Sequence, residues 1–205
     1  MNFLATKKDY YIVSIIGLSV GLLSLPVLEN IRPSFWQLTF LNALELIIGF
    51  WLLANAALWI GSFFGRKFIF LWQFTKFGAV GTMNAFLDFG IINLLSLIFK
   101  IYAGSWLALF NVISGMVAIT NSYLLNKFWS FGHKEPVQWK EIARFICVTL
   151  GTVFISTFLV YILTTVIGAP QSISEPLWEN IAKIIAVPVT LLLNFVGYKY
   201  FVFKR

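Results

Sequence analysis

The strongest constraint on this chain is a series of long apolar runs separated by short polar connections. Six of them, at residues 10–28, 36–63, 76–99, 106–130, 143–167 and 178–203, are long enough as helices to cross about 30 Å of hydrocarbon at about 1.5 Å per residue. Hydrophobic residues make up 60% of the 205 and charged residues only 11%. A water-soluble domain of that composition would expose too much apolar surface. The expected fold is therefore an all-α membrane protein with six transmembrane helices. The first run follows Lys7 and Lys8 as a signal peptide would. Its apolar stretch is long and no clear small-residue cleavage site follows, so it is read as a retained helix.

The net charge of +7 would point to nucleic acid in a soluble protein. Here the basic residues flank the apolar runs. Lys7, Lys8, Arg66, Lys67, Lys76, Lys127, Lys134, Lys140, Arg144, Lys199, Lys204 and Arg205 fall near one membrane face, against Arg32, Lys100 and Lys183 near the other. This bias predicts a multi-pass protein of the plasma (inner) membrane with both termini cytoplasmic, and it argues against dual topology. Pro26, Pro33, Pro170 and Pro176 are read as punctuating the outward loops. The cytoplasmic loop "GHKEPVQWKEIAR" is read as opening an interfacial stretch, with Trp139 at headgroup depth.

Composition and motifs also exclude chemistry. One cysteine, Cys147, allows no internal disulfide. No Walker-type phosphate loop occurs, so ATP-driven transport by this chain alone is not expected. The single histidine, His133, reads as a solvated loop residue. With no metal-ligand cluster, paired carboxylates or activated nucleophile, the chain is not expected to be an enzyme or to hold a metal or cofactor.

Runs three and four resemble runs five and six. "KFGAVGTMNAFLDF" aligns without gaps to "RFICVTLGTVFIST" from Arg144, so that Lys76 matches Arg144, Asn84 matches Thr152 and Asp88 matches Ser156. "NKFWSF" (126–131) and "YKYFVF" (198–203) share a basic residue, two aromatics and a final Phe. This predicts a four-helix core of two weak parallel two-helix repeats, related by an axis along the membrane normal. Residues 1–69 then form two additional helices, for packing or partner contact, and 70–205 the core.

Each core helix carries a polar stripe: Gly81, Asn84 and Asp88; Ser114 with Asn121, and Thr120 with Lys127; Thr149, Thr152 and Ser156; Lys183, Thr190 and Asn194. Facing lipid, such stripes would be costly. Asn84, Asn121 and Asn194 are expected at similar depth, about 12–15 Å from the cytoplasmic helix ends. They are either interhelical hydrogen bonds or a substrate-contacting layer. Asp88 lies deeper. Its readings are a sugar or proton-coupling contact, or a structural bond to Asn84 or to a hydroxyl of the fifth run. Glu45, outside the repeat, reads as a second intramembrane acid, functional or engaged in a helix or oligomer contact.

At the cytoplasmic rim the repeats supply Lys76, Lys127, Arg144 and Lys199. These are either snorkelling anchors or a phosphate cradle at headgroup level. Pro188 interrupts the sixth run, either beside a pathway or as a tolerated kink. Gly61 and Gly65 form a G-x-x-x-G pair suited to close helix contact within or between chains.

The stretches "FTKFGAVGTMNAFLDFGIINLL", "NSYLLNKFWSF" and "LLLNFVGYKYFVFK" resemble, in their order, the GtrA-like family of small membrane proteins, over about residues 70–205. The resemblance implies flipping of a polyprenyl-phosphate-linked monosaccharide from the cytoplasmic to the outer leaflet for cell-surface polysaccharide glycosylation. It implies membrane glycosyltransferases as partners. Under it, Lys76, Lys127, Arg144 and Lys199 would bind the phosphate. Asn84, Asp88, Asn121, Asn194, Thr152 and Ser156 would line the sugar path. A narrow bundle of this kind would be a homo-oligomer. Two other classes stay open: a scaffold that recruits or stabilises a glycosyltransferase, and a small cation or multidrug exporter, which four rim cations disfavour.

Overall fold

The computed structural model describes residues 4–31, 37–101, 104–168, 170–172 and 175–203. Among these residues, every regular element is a helix: α1 (Lys7–Ile31), α2 (Phe40–Gly65), α3 (Ile69–Phe99), α4 (Gly104–Leu125), α5 (Trp139–Tyr161) and α6 (Glu175–Gly197). Three π-helical segments follow helices: π1 (Asn126–Ser130), π2 (Ile162–Ile167) and π3 (Tyr198–Val202). Among the described residues, α1, α2 and α3 are long and apolar enough to cross a membrane. Arg32, Pro33, Lys204 and Arg205, which entered the charge and turn readings, lie outside the described residues, as does the side chain of Lys183.

Helix limits differ from the apolar runs where a polar or proline residue was read as an end. Pro26 lies inside α1, which continues to Ile31. A proline so near a helix end removes only one backbone bond and leaves the last turn intact. Pro176 falls in the first turn of α6, where its missing N–H has no intrahelical acceptor to lose. Pro188 is likewise contained within α6. Helix α3 starts at Ile69 rather than near Lys76, because the segment before Lys76 is itself apolar. Thr39 caps α2, its Oγ1 accepting the Asn42 N–H at 3.2 Å.

The chain forms two compact units, residues 1–132 and 133–205. In the first, α1 packs on both α2 and α3, and α3 on α4. Small residues let the backbones approach. A Cβ on Gly21 would stand 2.6 Å from Ile47 Cα, and one on Gly17 would stand 2.8 Å from Trp51 Cα. One on Gly61 would overlap Thr75, and one on Gly65 would stand 2.7 Å from Trp72 Cβ. The Gly61/Gly65 motif therefore serves an α2–α3 contact within the chain. A second such motif, Gly17/Gly21, joins α1 to α2 and was not singled out in the sequence. Val13, Ile16, Val20, Leu58, Trp72, Val80 and Trp129 form the core of this unit.

In the second unit α5 packs on α6 and π3. The rings of Phe145 and Tyr198 stand 4.6 Å apart, and Gly197 faces Val148. His133 is not simply solvated: its Nε2 lies 3.8 Å from Glu141 Oε2, and its ring 6.3 Å from that of Phe203.

Candidate functional site

At one end of the first unit the start of α1, the first third of α3 and the π1 segment after α4 meet around Asp9. Lys76 Nζ lies 2.6 Å from Asp9 Oδ1. Trp129 Nε1 donates to the same oxygen at 2.8 Å. The backbone N–H and hydroxyl of Thr6 donate to Asp9 Oδ2 at 2.9 and 2.7 Å. Lys76 Nζ also stands 4.5 Å from the Trp72 ring centroid and 5.5 Å from that of Trp129. Its charge is thus shared between a carboxylate and two indole faces. Nearby, Ser62 Oγ accepts the Ala5 N–H at 3.0 Å.

Neither Asp9 nor Trp129 was among the sequence candidates. Asp9 reads locally as an acid in a helix first turn, with a favourable macrodipole contact. Nothing in the local sequence points to Lys76 as its partner.

The π turns present the next two cations in matching surroundings. In π1, the Phe131 N–H donates to Asn126 O at 2.9 Å; in π3, the Phe203 N–H donates to Tyr198 O at 2.8 Å. Lys127 Nζ stands 5.8 Å from the Tyr123 ring and 5.6 Å from that of Phe128. Lys199 Nζ stands 5.7 Å from Phe195 and 5.5 Å from Tyr200. Each lysine therefore has an aromatic ring four residues before it and another one residue after. Lys127 is fully buried, Lys199 half-buried and Arg144 exposed.

Deeper in the first unit, α3 and α4 are joined by two rungs. Asn121 Nδ2 donates to Asn84 Oδ1 at 2.7 Å, and Ser114 Oγ donates to Asp88 Oδ1 at 2.6 Å. Asp88 thus has a hydrogen-bond partner on α4. In the second unit Thr152 Oγ1 donates to Asn194 Oδ1 at 2.9 Å, which links α5 to α6. Thr149 Oγ1 and Tyr198 OH lie 2.8 Å apart. The side chain of Ser156 lies outside the described residues. Glu45 is exposed on α2. A shallow groove of about 390 Å³ on α4 is lined by Met116, Val117, Thr120, Asn121 and Leu124, so Asn121 both pairs with Asn84 and borders open space.

Among the described residues, three buried side-chain oxygens have no hydrogen-bond partner: Asn126 Oδ1, Ser130 Oγ and Gln73 Oε1. The first two belong to π1. Among the described residues, no cluster of His, Cys, Asp and Glu suited to a metal ion is present.

A helical, apolar architecture with basic residues and paired amides on its helices defines a polytopic membrane protein. Residues 76–203 match the GtrA/DPMS transmembrane domain family, and the chain belongs to that family. The family is associated with flipping of lipid-linked sugars. A similar protein is the uncharacterized membrane protein YngA of Bacillus subtilis (strain 168), 28% identical over 128 residues, or 62% of this chain and 77% of that protein. No solved structure matches the chain. The matched segment begins at Lys76 and ends at Phe203, so Asp9, the partner of Lys76, is supplied from outside it.

Proposed function

We propose that the protein moves a polyprenyl-phosphate-linked monosaccharide from the cytoplasmic to the outer leaflet, for cell-surface polysaccharide glycosylation. The observation that carries this reading is the family match over residues 76–203. It is supported by the two lysine-bearing π turns, each with the same closing bond and aromatic neighbours. The recurrence favours a core of two two-helix repeats, with all six helices crossing the plasma membrane and both termini cytoplasmic. Lys127, Lys199 and Arg144 hold the phosphate by charge-assisted hydrogen bonds. Lys76 joins them when it leaves Asp9. Asn84 and Asn121, Thr152 and Asn194 exchange their mutual bonds, and Asp88 its bond to Ser114, for sugar hydroxyls, which need partners once stripped of water, and Ser156 adds a further hydroxyl to the path. The prenyl tail stays in lipid. Membrane glycosyltransferases make and consume the substrate, and the working form is a homo-oligomer.

A second reading is favoured by one observation. Asn84 with Asn121, Asp88 with Ser114, and Thr152 with Asn194 already bond to each other. Such bonds also suit a scaffold that holds a glycosyltransferase and moves nothing. Proteoliposomes with a defined polyprenyl-phosphate hexose and no enzyme partner separate the two. Leaflet transfer by wild type, slowed in Asp88→Asn, is the expected result. A protein that binds the enzyme but transfers no lipid would establish the scaffold instead.

A further inference from the structure

We infer that the π turn closing α4 is the receptor for the hydroxyls of the lipid-linked sugar, with Asn126 and Ser130 as its ligands; the inference rests on the lipid-linked-sugar reading above. Asn126 and Ser130 are 1% and 4% exposed, and Lys127 between them is fully buried. Asn126 spends its amide N–H on Ser122 Oγ at 3.3 Å. Its Oδ1 and the Ser130 Oγ have no partner among the described residues. Buried oxygens without a donor are costly and are retained where something other than the protein supplies the bond.

The folding of the turn does not require these two oxygens. π3 closes with the same bond and places Tyr198 and Val202 at the matching positions. Tyr198 OH is engaged by Thr149, and Val202 has no polar atom to satisfy. The deep rungs of α3 and α4 are also internally paired. Among the described residues, fully buried side-chain oxygens without a partner are therefore found at the end of α4 and at Gln73, and not at Asn84, Asp88, Ser114 or Asn121. The third unpaired oxygen, Gln73 Oε1, is on α3 one turn before Phe77, whose ring stands 6.2 Å from that of Phe131 at the end of π1.

A cation flanked by acceptors suits a ligand with an anion next to several O–H donors. A sugar attached to a phosphate has that form. Its hydroxyls donate to Asn126 Oδ1 and exchange bonds with Ser130 Oγ, while the phosphate lies toward Lys127. The sugar is thus read at the end of α4 before it meets Asn121 and Asn84.

The test uses the full chain in lipid nanodiscs and two probes, a short-chain prenyl phosphate and the same lipid carrying a hexose. Asn126→Leu and Ser130→Ala are each expected to weaken binding of the hexose lipid about five- to tenfold. Binding of the bare prenyl phosphate should change less than about twofold, and thermal stability should hold or rise, because an unpaired oxygen is removed. Ser130→Ala, which deletes one atom, carries the test if the larger change does not fold. Equal losses for both lipids overturn the receptor, as does a fall in melting temperature, which marks a structural water site. The receptor also fails, with the phosphate reading intact, if neither change matters while Lys127→Gln weakens both lipids, or if wild type gains nothing from the hexose. Wild type that binds neither lipid sinks the transport reading as well.

Discussion

In the turn Asn126–Ser130 the lysine is fully buried and two neighbouring oxygens lack partners. In the turn Tyr198–Val202 the lysine is half-buried, and the matching positions hold a tyrosine bonded to Thr149 and a valine. The closing bond and the aromatic neighbours of the lysine are the same in both. What the two turns share is enough to form a π turn. What they do not share is surplus to folding, and surplus buried polarity points to a ligand. Their preceding helices differ in the same sense. Lys76 is held by Asp9 from α1, whereas Arg144, at the matching position of α5, is exposed.

The largest effect expected from this comparison concerns those two cations. Lys76→Met leaves Asp9 buried beside Trp129 without its counter-charge. It should lower unfolding stability by about 3 kcal/mol, at the low end for a broken buried pair because Thr6 and Trp129 still donate. Arg144→Met should stay within about 0.5 kcal/mol, as an exposed change. Adding Asp9→Leu to Lys76→Met should recover most of the loss. Thermal melts in detergent measure all three, and equal effects at Lys76 and Arg144 would erase the distinction.

Glycines give the next contrast. Gly21→Ala forces α1 away from the Ile47 backbone and should cost about 1–3 kcal/mol. Gly151 on α5 meets nothing within 4 Å, so Gly151→Ala should stabilise its helix by about 0.5–1 kcal/mol. The same melts, read for sign, decide this.

At the π turns, Lys127→Gln should weaken binding of a prenyl phosphate about tenfold, near 1.4 kcal/mol, and Lys199→Gln by a smaller factor. The reverse order would assign the main anion contact to π3. The smallest effect belongs to the amides. Asn121→Leu and Asn194→Leu should each cost about 0.6 kcal/mol of stability, an average for interhelical bonds in membranes. A transport defect much larger than that in either variant would mark the residue as part of the path, and none would leave it as packing.

Local features carried much of this to the surface of the sequence. Apart from the earlier start of α3 at Ile69, the apolar runs located the helices to within a few residues, because length and hydropathy act along the chain. The match of "NKFWSF" to "YKYFVF" marked the two π turns, although their widened geometry was not foreseen. Asn84 and Asn121 were placed at one depth by counting along two helices, and they do meet. The bond from Ser114 to Asp88 was not anticipated, because the helix face toward Asp88 depends on how α4 is rotated. Pro26 was read as a helix end, since a single residue type cannot report how little the last turn loses by its presence.

The sequence by itself determined that this chain is a helical membrane protein, which residues bear its charges, and to which family it belongs. The first two follow from composition and spacing along one dimension, and the third from the resemblance of three stretches in their order. Only the tertiary structure decided that Asp9 neutralises Lys76, that Asn121 of α4 bonds Asn84 of α3, and that Asn126 Oδ1 and Ser130 Oγ are left without partners among the described residues. Pairing and its absence depend on distances between helices far apart in the chain, which no local pattern encodes.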